Sequence, residues 1–202
     1  MHTSDSNQRP FYRDQIATKD LVSFSIVIEE TDLLILADRN LQEEAEKAVL
    51  AYRQQLETHI STFPEFLSTL KPLPFQTDAP PIIREMLKAA RLAQVGPMAS
   101  VAGALAEQVG RDLLEHTPQV IVENGGDIFL TVSHDITVGI YAGSSPLSNK
   151  LAVKIPSAIT PLGVCTSSGT VGHSLSFGRA DAVTVIAHST ALADATATAL
   201  GN

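Results

Sequence analysis

Four segments of this 202-residue chain combine residue types that could do chemistry. Residues 123–128, ENGGDI, place two adjacent glycines ahead of an aspartate. One reading is a primed hairpin turn, because Asn124, Gly125, Gly126 and Asp127 tolerate the positive φ that such a turn demands. The other is a ligand site, in which Gly125 and Gly126 let backbone amides approach a polar group while Asp127 accepts a hydrogen bond at the rim. Residues 163–174, GVCTSSGTVGHS, gather Thr166, Ser167, Ser168, Gly169, Thr170 and His173 in what reads as one loop. It could turn hydroxyls and free amides toward phosphate oxygens, with His173, whose ordinary pKa lies near 6.5, suited to proton transfer. A hydrophilic surface loop with a solvated histidine is the alternative. Cys165, beside Val164, reads as a small core residue, because no basic neighbour favours a thiolate.

Residues 193–198, ADATAT, form the third segment. Asp194 and Thr198 are four apart, so on a helix their oxygens share one face and reach a single ion. A hard cation such as Mg²⁺ takes one or two protein oxygens and completes its octahedron from water and phosphate. Alternatively, Asp194 near a helix start favours the dipole and Thr198 bonds back to its own helix. The fourth segment opens at Gly96 and is unusual for Ala99, Ser100, Ala102, Gly103, Ala104 and Ala106. So little side chain admits either close packing on a sheet or a ligand against the backbone.

Elements that position these segments follow from periodicity. Residues 21–28, LVSFSIVI, read as a strand that pairs with residues 33–36. Residues 41–60 alternate apolar and charged faces at helical spacing, with Asn40 as N-cap and Glu43 completing a box-like arrangement. Prolines at 64, 72, 74, 80 and 81 imply a short helix and then an extended connection, the segment expected to move most. Residues 82–95 read as a helix, Gly96-Pro97 as a break, and residues 98–115 as a second helix. Short strands are expected at 120–123, 128–132, 136–142, 151–155 and 182–187, the first three as an antiparallel meander through turns at Gly125-Gly126 and His134-Asp135. In the pocket they build, Gly103 should lie beside Asp127, Thr166 and Ser168. Strands on both sides of a helical block, without strict alternation, imply an α+β fold.

Composition narrows the function classes. Hydrophobic residues make up 44% and charged residues 18% of the chain, and mean hydropathy is +0.12, as in ordinary globular proteins. By surface scaling such a chain buries roughly 22,000 Å² on folding, enough for one core and one domain. A net charge of −8 disfavours nucleic acid and anionic membrane as partners. One cysteine closes no intramolecular disulfide, and no run approaches the ~20 apolar residues of a membrane helix or the apolar core of a signal peptide. A cytoplasmic location is expected. Residues 1–14 are read as a poorly packed N-terminal segment of a single domain spanning 1–202.

Taken in order, VENGGDIFL, GVCTSSG and ADAVTVIAHSTALADATATAL resemble the ApbE-like superfamily, whose namesakes are FAD:protein FMN transferases. Its strand-GGD-strand element, Thr-Ser-Gly loop and Ala-Asp-Ala-x-Ala-Thr-type helix match over residues 96–202. VGPMASVAGALAE and SSGTVGHSLSFGRADAVTV look closer still to a shorter, uncharacterised, stand-alone prokaryotic branch of that superfamily. The resemblance implies a T-fold-like α+β architecture, an antiparallel sheet packed with helices, and a flavin or other nucleotide pocket over the sheet. It maps Asp194 and Thr198 onto Mg²⁺ ligands, with a backbone carbonyl near Ala102 as a third. It lines the pocket with Gly103, Gly125, Gly126, Asp127, Thr166, Ser167, Ser168 and Gly169, and matches His173 to the family histidine as the catalytic candidate. In the transferases the metal polarises the FAD pyrophosphate while a threonine of a protein substrate attacks and AMP leaves.

Departures bear on activity more than on fold. The family's Lys-Gly pair stands here as Ala102-Gly103, and its Asp-Pro-x-x-Gly stretch after the histidine is replaced by SLSFGRADAV. The N-terminal half is shorter and matches poorly, and the chain ends at Asn202 where relatives continue, so a trimmed end is expected. Three functions remain open: Mg²⁺-dependent cleavage or transfer at the FAD pyrophosphate, a non-catalytic module binding flavin, pterin or nucleotide, and a structural subunit. The acceptor protein and any assembly of identical copies are left open.

Overall fold

The structure, a computed structural model, describes residues 21–167 and 180–201. Strands β1 (Val22–Ile28) and β2 (Thr31–Ala37) form a hairpin in which Ile28 faces Thr31 and Val22 faces Ala37. Both faces of β2 are apolar because both are covered: Leu33, Ile35 and Ala37 point one way, Leu34 and Leu36 the other, and all are buried. Next come α1 (Gln42–Thr62), the one-turn α2 (Glu65–Ser68), α3 (Pro81–Ala93), a 3₁₀ turn at Pro97–Ser100, and α4 (Val101–Leu113). The remainder is β3 (Val120–Asn124), β4 (Asp127–Thr131), β5 (Ile136–Ile140), β6 (Leu151–Ile155), β7 (Leu162–Ser167), β8 (Val183–Ala187) and α5 (Thr190–Gly201).

Six strands form one antiparallel sheet in the order β1-β2-β3-β4-β7-β8. The helices cover one face, where Leu33, Ile35, Val120, Val122 and Phe129 meet Leu87, Leu105, Val109 and Ala195. On the other face Leu34, Leu36, Ile121, Ile128, Leu130, Leu162 and Val164 pack with Ile136, Val138, Val153 and Ile155 of the β5–β6 pair. The result is a single α+β domain.

Several expectations hold with shifted ends. Asn40 does serve α1, its Oδ1 accepting from the Gln42 N–H at 2.9 Å, although the helix boundary falls at Leu41. The break at Gly96-Pro97 is present, preceded by Gln94 in the left-handed region that ends α3. Two expectations fail. The meander stops after β4, because β5 pairs with β6 in a separate two-stranded sheet and β4 takes β7 as its second neighbour. Burial explains the exchange: residues 162–165 of β7 are apolar or small and wholly buried, whereas β5 alternates and stays half-exposed. By the same token, the segment read as a loop from Gly163 runs as strand through Ser167. The N-terminal segment 1–14 lies outside the described residues.

The small residues of α4 are spent on close approach. A Cβ at Gly110 would stand 2.2 Å from Cδ1 of Phe129, which is fully buried, and the Arg111 guanidinium lies 5.8 Å over the same ring. Tyr52 of α1 ties α4 from its other side by donating to Asp112 at 2.9 and 3.0 Å, and burial followed by the Asp112 carboxylate pushes its hydroxyl up to about 12. Alanine at 110 would gain about 1 kcal/mol of helix propensity. Overpacking against an immobile ring costs about 1–3 kcal/mol before that gain and more where backbone must shift, so the clash wins. Gly110→Ala should therefore lower the urea midpoint without changing the slope; an unchanged or raised midpoint would show that α4 has slack above β4.

Candidate functional site

The hairpin between β3 and β4 turns through Gly125 at φ 63° and Gly126 at φ 105°, positive values that glycine adopts at no steric cost. Glu123, fully buried, closes the turn by accepting the Gly126 N–H at 2.7 Å. Pairing of Asn124 with Asp127, and of Asp127 with Cys165, puts these three side chains on the helix-covered face. A Cβ at Gly125 would meet nothing within 4 Å, so the turn opens outward.

Above this edge lie the first turn of α4 and the first half of α5. Asn124 Nδ2 donates to the Ala102 carbonyl at 3.2 Å, and the Gly103 N–H donates to Asp194 Oδ2 at 2.9 Å. Asp194 is thus five residues into α5 rather than at its start, and it caps α4, whose own boundary residue Ser100 makes no side-chain cap. The start of α5 is capped in turn from α4: the buried Glu107 accepts the Thr190 N–H at 2.7 Å while Arg111 holds its other oxygen at 2.8 Å. Glycine permits the approach, since a Cβ at Gly103 would lie 2.7 Å from the Thr190 carbonyl and one at Gly163 2.5 Å from Thr190 Cα.

Electrostatics set this cluster apart. Burial, then the Asp194 charge, then Glu123, push the Asp127 carboxyl well above the usual range, against the opposing pull of the Cys165 thiol and the Thr166 N–H. Burial pushes Asp194 up to about 7, against the pull of the Gly103 N–H. Cys165 donates to the Thr190 carbonyl at 3.4 Å; burial and the two aspartates raise its thiol, so it stays protonated, in keeping with a core cysteine. Among the described residues no cationic side chain acts on either aspartate.

The structure therefore brings Ala102, Gly103, Asp127 and Asp194 together. Thr166 joins them only through its backbone N–H, because strand alternation turns its hydroxyl to the opposite face, 2.9 Å from that of Thr184. Ser167 faces the far end of α5, 3.4 Å from where Gly201 would carry a Cβ. Thr198 is half-buried one turn beyond Asp194. Ser168, Gly169 and His173 lie outside the described residues. Sequence reasoning missed Asn124 as a contact of α4, and it missed Glu107, whose spacing to Arg111 was the available signal. A separate groove of about 480 Å³ runs along α1 past Gln55, His59 and Pro80, but Gln55 Oε1 and His59 Nε2 are sealed from solvent and nothing in the groove reaches them. Among the described residues no three His, Cys, Asp or Glu side chains gather as a metal cage, and no helix is long and apolar enough to cross a membrane.

An antiparallel sheet with helices on one face and an aspartate-bearing helix against a Gly-Gly-Asp hairpin defines an ApbE-like fold. The flavinyl transferase ApbE of Pseudomonas stutzeri, in its apo form, superposes with a TM-score of 0.59 at 15% identity, over 89% of this chain and 83% of that one. The flavin transferase ApbE of Vibrio cholerae gives 0.54 at 14% identity over 89% and 86%. The family described as AbpE bacteria matches residues 13–202, and the chain belongs to it. The UPF0280 protein of Methanococcus vannielii is 48% identical over 187 residues, 91% of this chain and 76% of its own length. That of Methanocaldococcus jannaschii is 46% identical over 180 residues, covering 88% and 73%.

A carboxyl raised on folding holds its proton more tightly in the native state, so its stabilisation is complete below about pH 4 and is lost as pH rises toward 7. In EDTA, Asp194→Asn keeps an acceptor for Gly103 and removes the charge. It should gain on the order of 2 kcal/mol relative to the native chain between pH 5 and pH 8. Urea titrations at the two pH values measure this, and a pH-independent difference would contradict it.

Proposed function

We propose that the cluster around Asp127 and Asp194 is the pyrophosphate end of a flavin nucleotide site, with FAD as leading ligand and Mg²⁺ as its counter-ion. One observation carries the reading: two carboxylates converge in a buried site with no cationic side chain acting on either among the described residues. Such a pair calls for a proton or a cation. The donors fit a hard ion. They are oxygens, from Asp194 and from Thr198 one turn on, with the Ala102 carbonyl, which accepts from Asn124, as the third proposed ligand, while Cys165 is held as thiol. One or two protein carboxylates suffice where nucleotide phosphates complete the octahedron, so no three-residue cage is required.

Bound there, Mg²⁺ would polarise the pyrophosphate and neutralise its charge. The chain's own part is to hold the ligand. The glycines at 125 and 126 admit it to the hairpin edge, Gly103 lets α5 close against the site, Thr166 lends its N–H, and Ser167, Ser168 and Gly169 are the further proposed contacts. His173 is the proposed proton-transfer group. A second reading, a flavin, pterin or nucleotide carrier without turnover, is favoured by Ala102 standing where the family resemblance places a lysine. The flavin transferases of similar fold support a flavin ligand in general terms. The cytoplasm is the proposed compartment.

Titration calorimetry of FAD with and without Mg²⁺ tests the site on the native chain and on Asp194→Asn, chosen over alanine because alanine would orphan the Gly103 N–H at a cost of about 1–3 kcal/mol. Mg²⁺ should tighten FAD binding by roughly 5- to 150-fold in the native chain, the usual range of coupling, and by nothing in the variant. Equal affinity in all four titrations would remove Asp194 from the site. Chromatography of the same mixtures separates the two readings: AMP and FMN appear if the protein is a catalyst, and His173→Ala should then stop their release while FAD still binds.

A further inference from the structure

The peptide that joins Ala102 to Gly103 is held at both polar ends. Its N–H donates to Asp194 Oδ2 at 2.9 Å, and its carbonyl accepts from Asn124 Nδ2 at 3.2 Å. N–H and C=O of a planar trans peptide point in opposite directions, so the hairpin amide and the α5 carboxylate grip opposite edges of one rigid plate. The plate lies in the first turn of α4, and these two bonds tie it to β3 and α5 as well. The boundary residue Ser100 gives its hydroxyl to the Pro97 carbonyl at 2.8 Å instead of capping α4, and residue 103 has no side chain to wedge against its surroundings. Donation into the carbonyl also polarises the N–H on the far edge and strengthens its bond to the carboxylate. Asn124 is a suitable grip because β3 and the closed hairpin hold it: it is the last residue of β3, paired with Asp127, and Gly126 of the turn is tied down by Glu123.

We propose that Asn124 is a positioning residue for the cation site: through the Ala102-Gly103 peptide it aims Asp194 and commits Oδ2 to the protein, leaving Oδ1 for the metal, which Asn124 itself does not touch. The inference rests on the reading of Asp194 as a cation ligand. It assigns to Asn124 a role apart from the hairpin-turn one, which needs only its backbone.

The experiment uses Mn²⁺ as a paramagnetic stand-in for Mg²⁺, titrated into the full chain with and without FAD, for Asn124→Ala, Asn124→Asp, Asp194→Asn and the Asn124→Ala/Asp194→Asn pair, with thermal melts alongside. Partners that orient a metal ligand typically contribute 10- to 100-fold to affinity. Asn124→Ala should therefore weaken Mn²⁺ by that factor while FAD binding without metal stays within about twofold. Asn124→Asp keeps the shape and the turn preference but offers no donor when ionised, so it should weaken Mn²⁺ too, although an added negative charge by itself would tighten it. In the Asp194→Asn background, Asn124→Ala should change FAD affinity no further, because both act through one group. Unchanged Mn²⁺ affinity in Asn124→Ala, tighter binding in Asn124→Asp, or an equal further loss in the Asp194→Asn background would each overturn the proposal while leaving the cation site standing. Failure of the native chain to bind Mn²⁺ with or without FAD would overturn the site, and this role with it.

Discussion

Helix α5 reaches the first turn of α4 and the surface of β7 only because glycine stands at both points of contact. Thr190 lies against Gly163 on one side and Gly103 on the other, at separations no Cβ could share. With the helices at that distance, polar groups a longer side chain would keep apart become hydrogen-bond partners: Glu107 with the Thr190 N–H, Asp194 with the Gly103 N–H, Cys165 with the Thr190 carbonyl. Each helix start is thus capped by the other helix rather than by its own sequence. The small residues of α4 serve packing and site together, Gly110 toward the sheet and Gly103 toward α5.

The same closeness has an electrostatic consequence. Asp194 is buried against one helix terminus, Asp127 sits at the sheet edge below it, and each is harder to ionise for being removed from water. The amides of Gly103 and Thr166 offset part of that cost but bring no full positive charge. A fold that only needed to cap α4 could have used the hydroxyl of Ser100, which stands at its boundary but bonds the Pro97 carbonyl instead. Placing two coupled carboxylates there costs stability, and such local inconsistencies cluster where a ligand restores the balance.

Much of the fold was readable because it rests on local signals. The β-branched runs at β1 and β3, the helical spacing of α1 and the Gly96-Pro97 break needed no tertiary context. β7 was not readable: LGVCTS carries glycine and hydroxyl residues, and it becomes a strand because β4 and β8 supply ladders on both edges and α5 a lid. The β5 error has the same root, since turn residues at 134 and 135 are a local cue and competition for the β4 edge is not. In the site, Gly125, Gly126, Asp127 and Asp194 stood out by type and spacing. Asn124 reads only as a turn residue and Glu107 carries no signal beyond its spacing to Arg111, and only the packing of α4 against β3 and α5 gives them their roles.

Strand alternation also decides what the Cys165-Thr166-Ser167 run can offer. Contiguous in sequence, it is divided between two faces: Cys165 and Ser167 toward the helices, the Thr166 hydroxyl toward Thr184 beneath the sheet. What Thr166 lends the upper face is its N–H, which already stands against Asp127. Among the described residues, an anion in the proposed site would be met at this edge mainly by backbone dipoles, and Ala102 adds no charge to them. Amides orient phosphate oxygens well yet neutralise little, so in the proposed site the charge of a pyrophosphate would be met by an ion that the aspartates hold. On that proposal the carboxylate pair and the alanine at 102 belong to one arrangement: the less cationic the protein's own contribution, the more the binding of nucleotide and of metal would depend on each other.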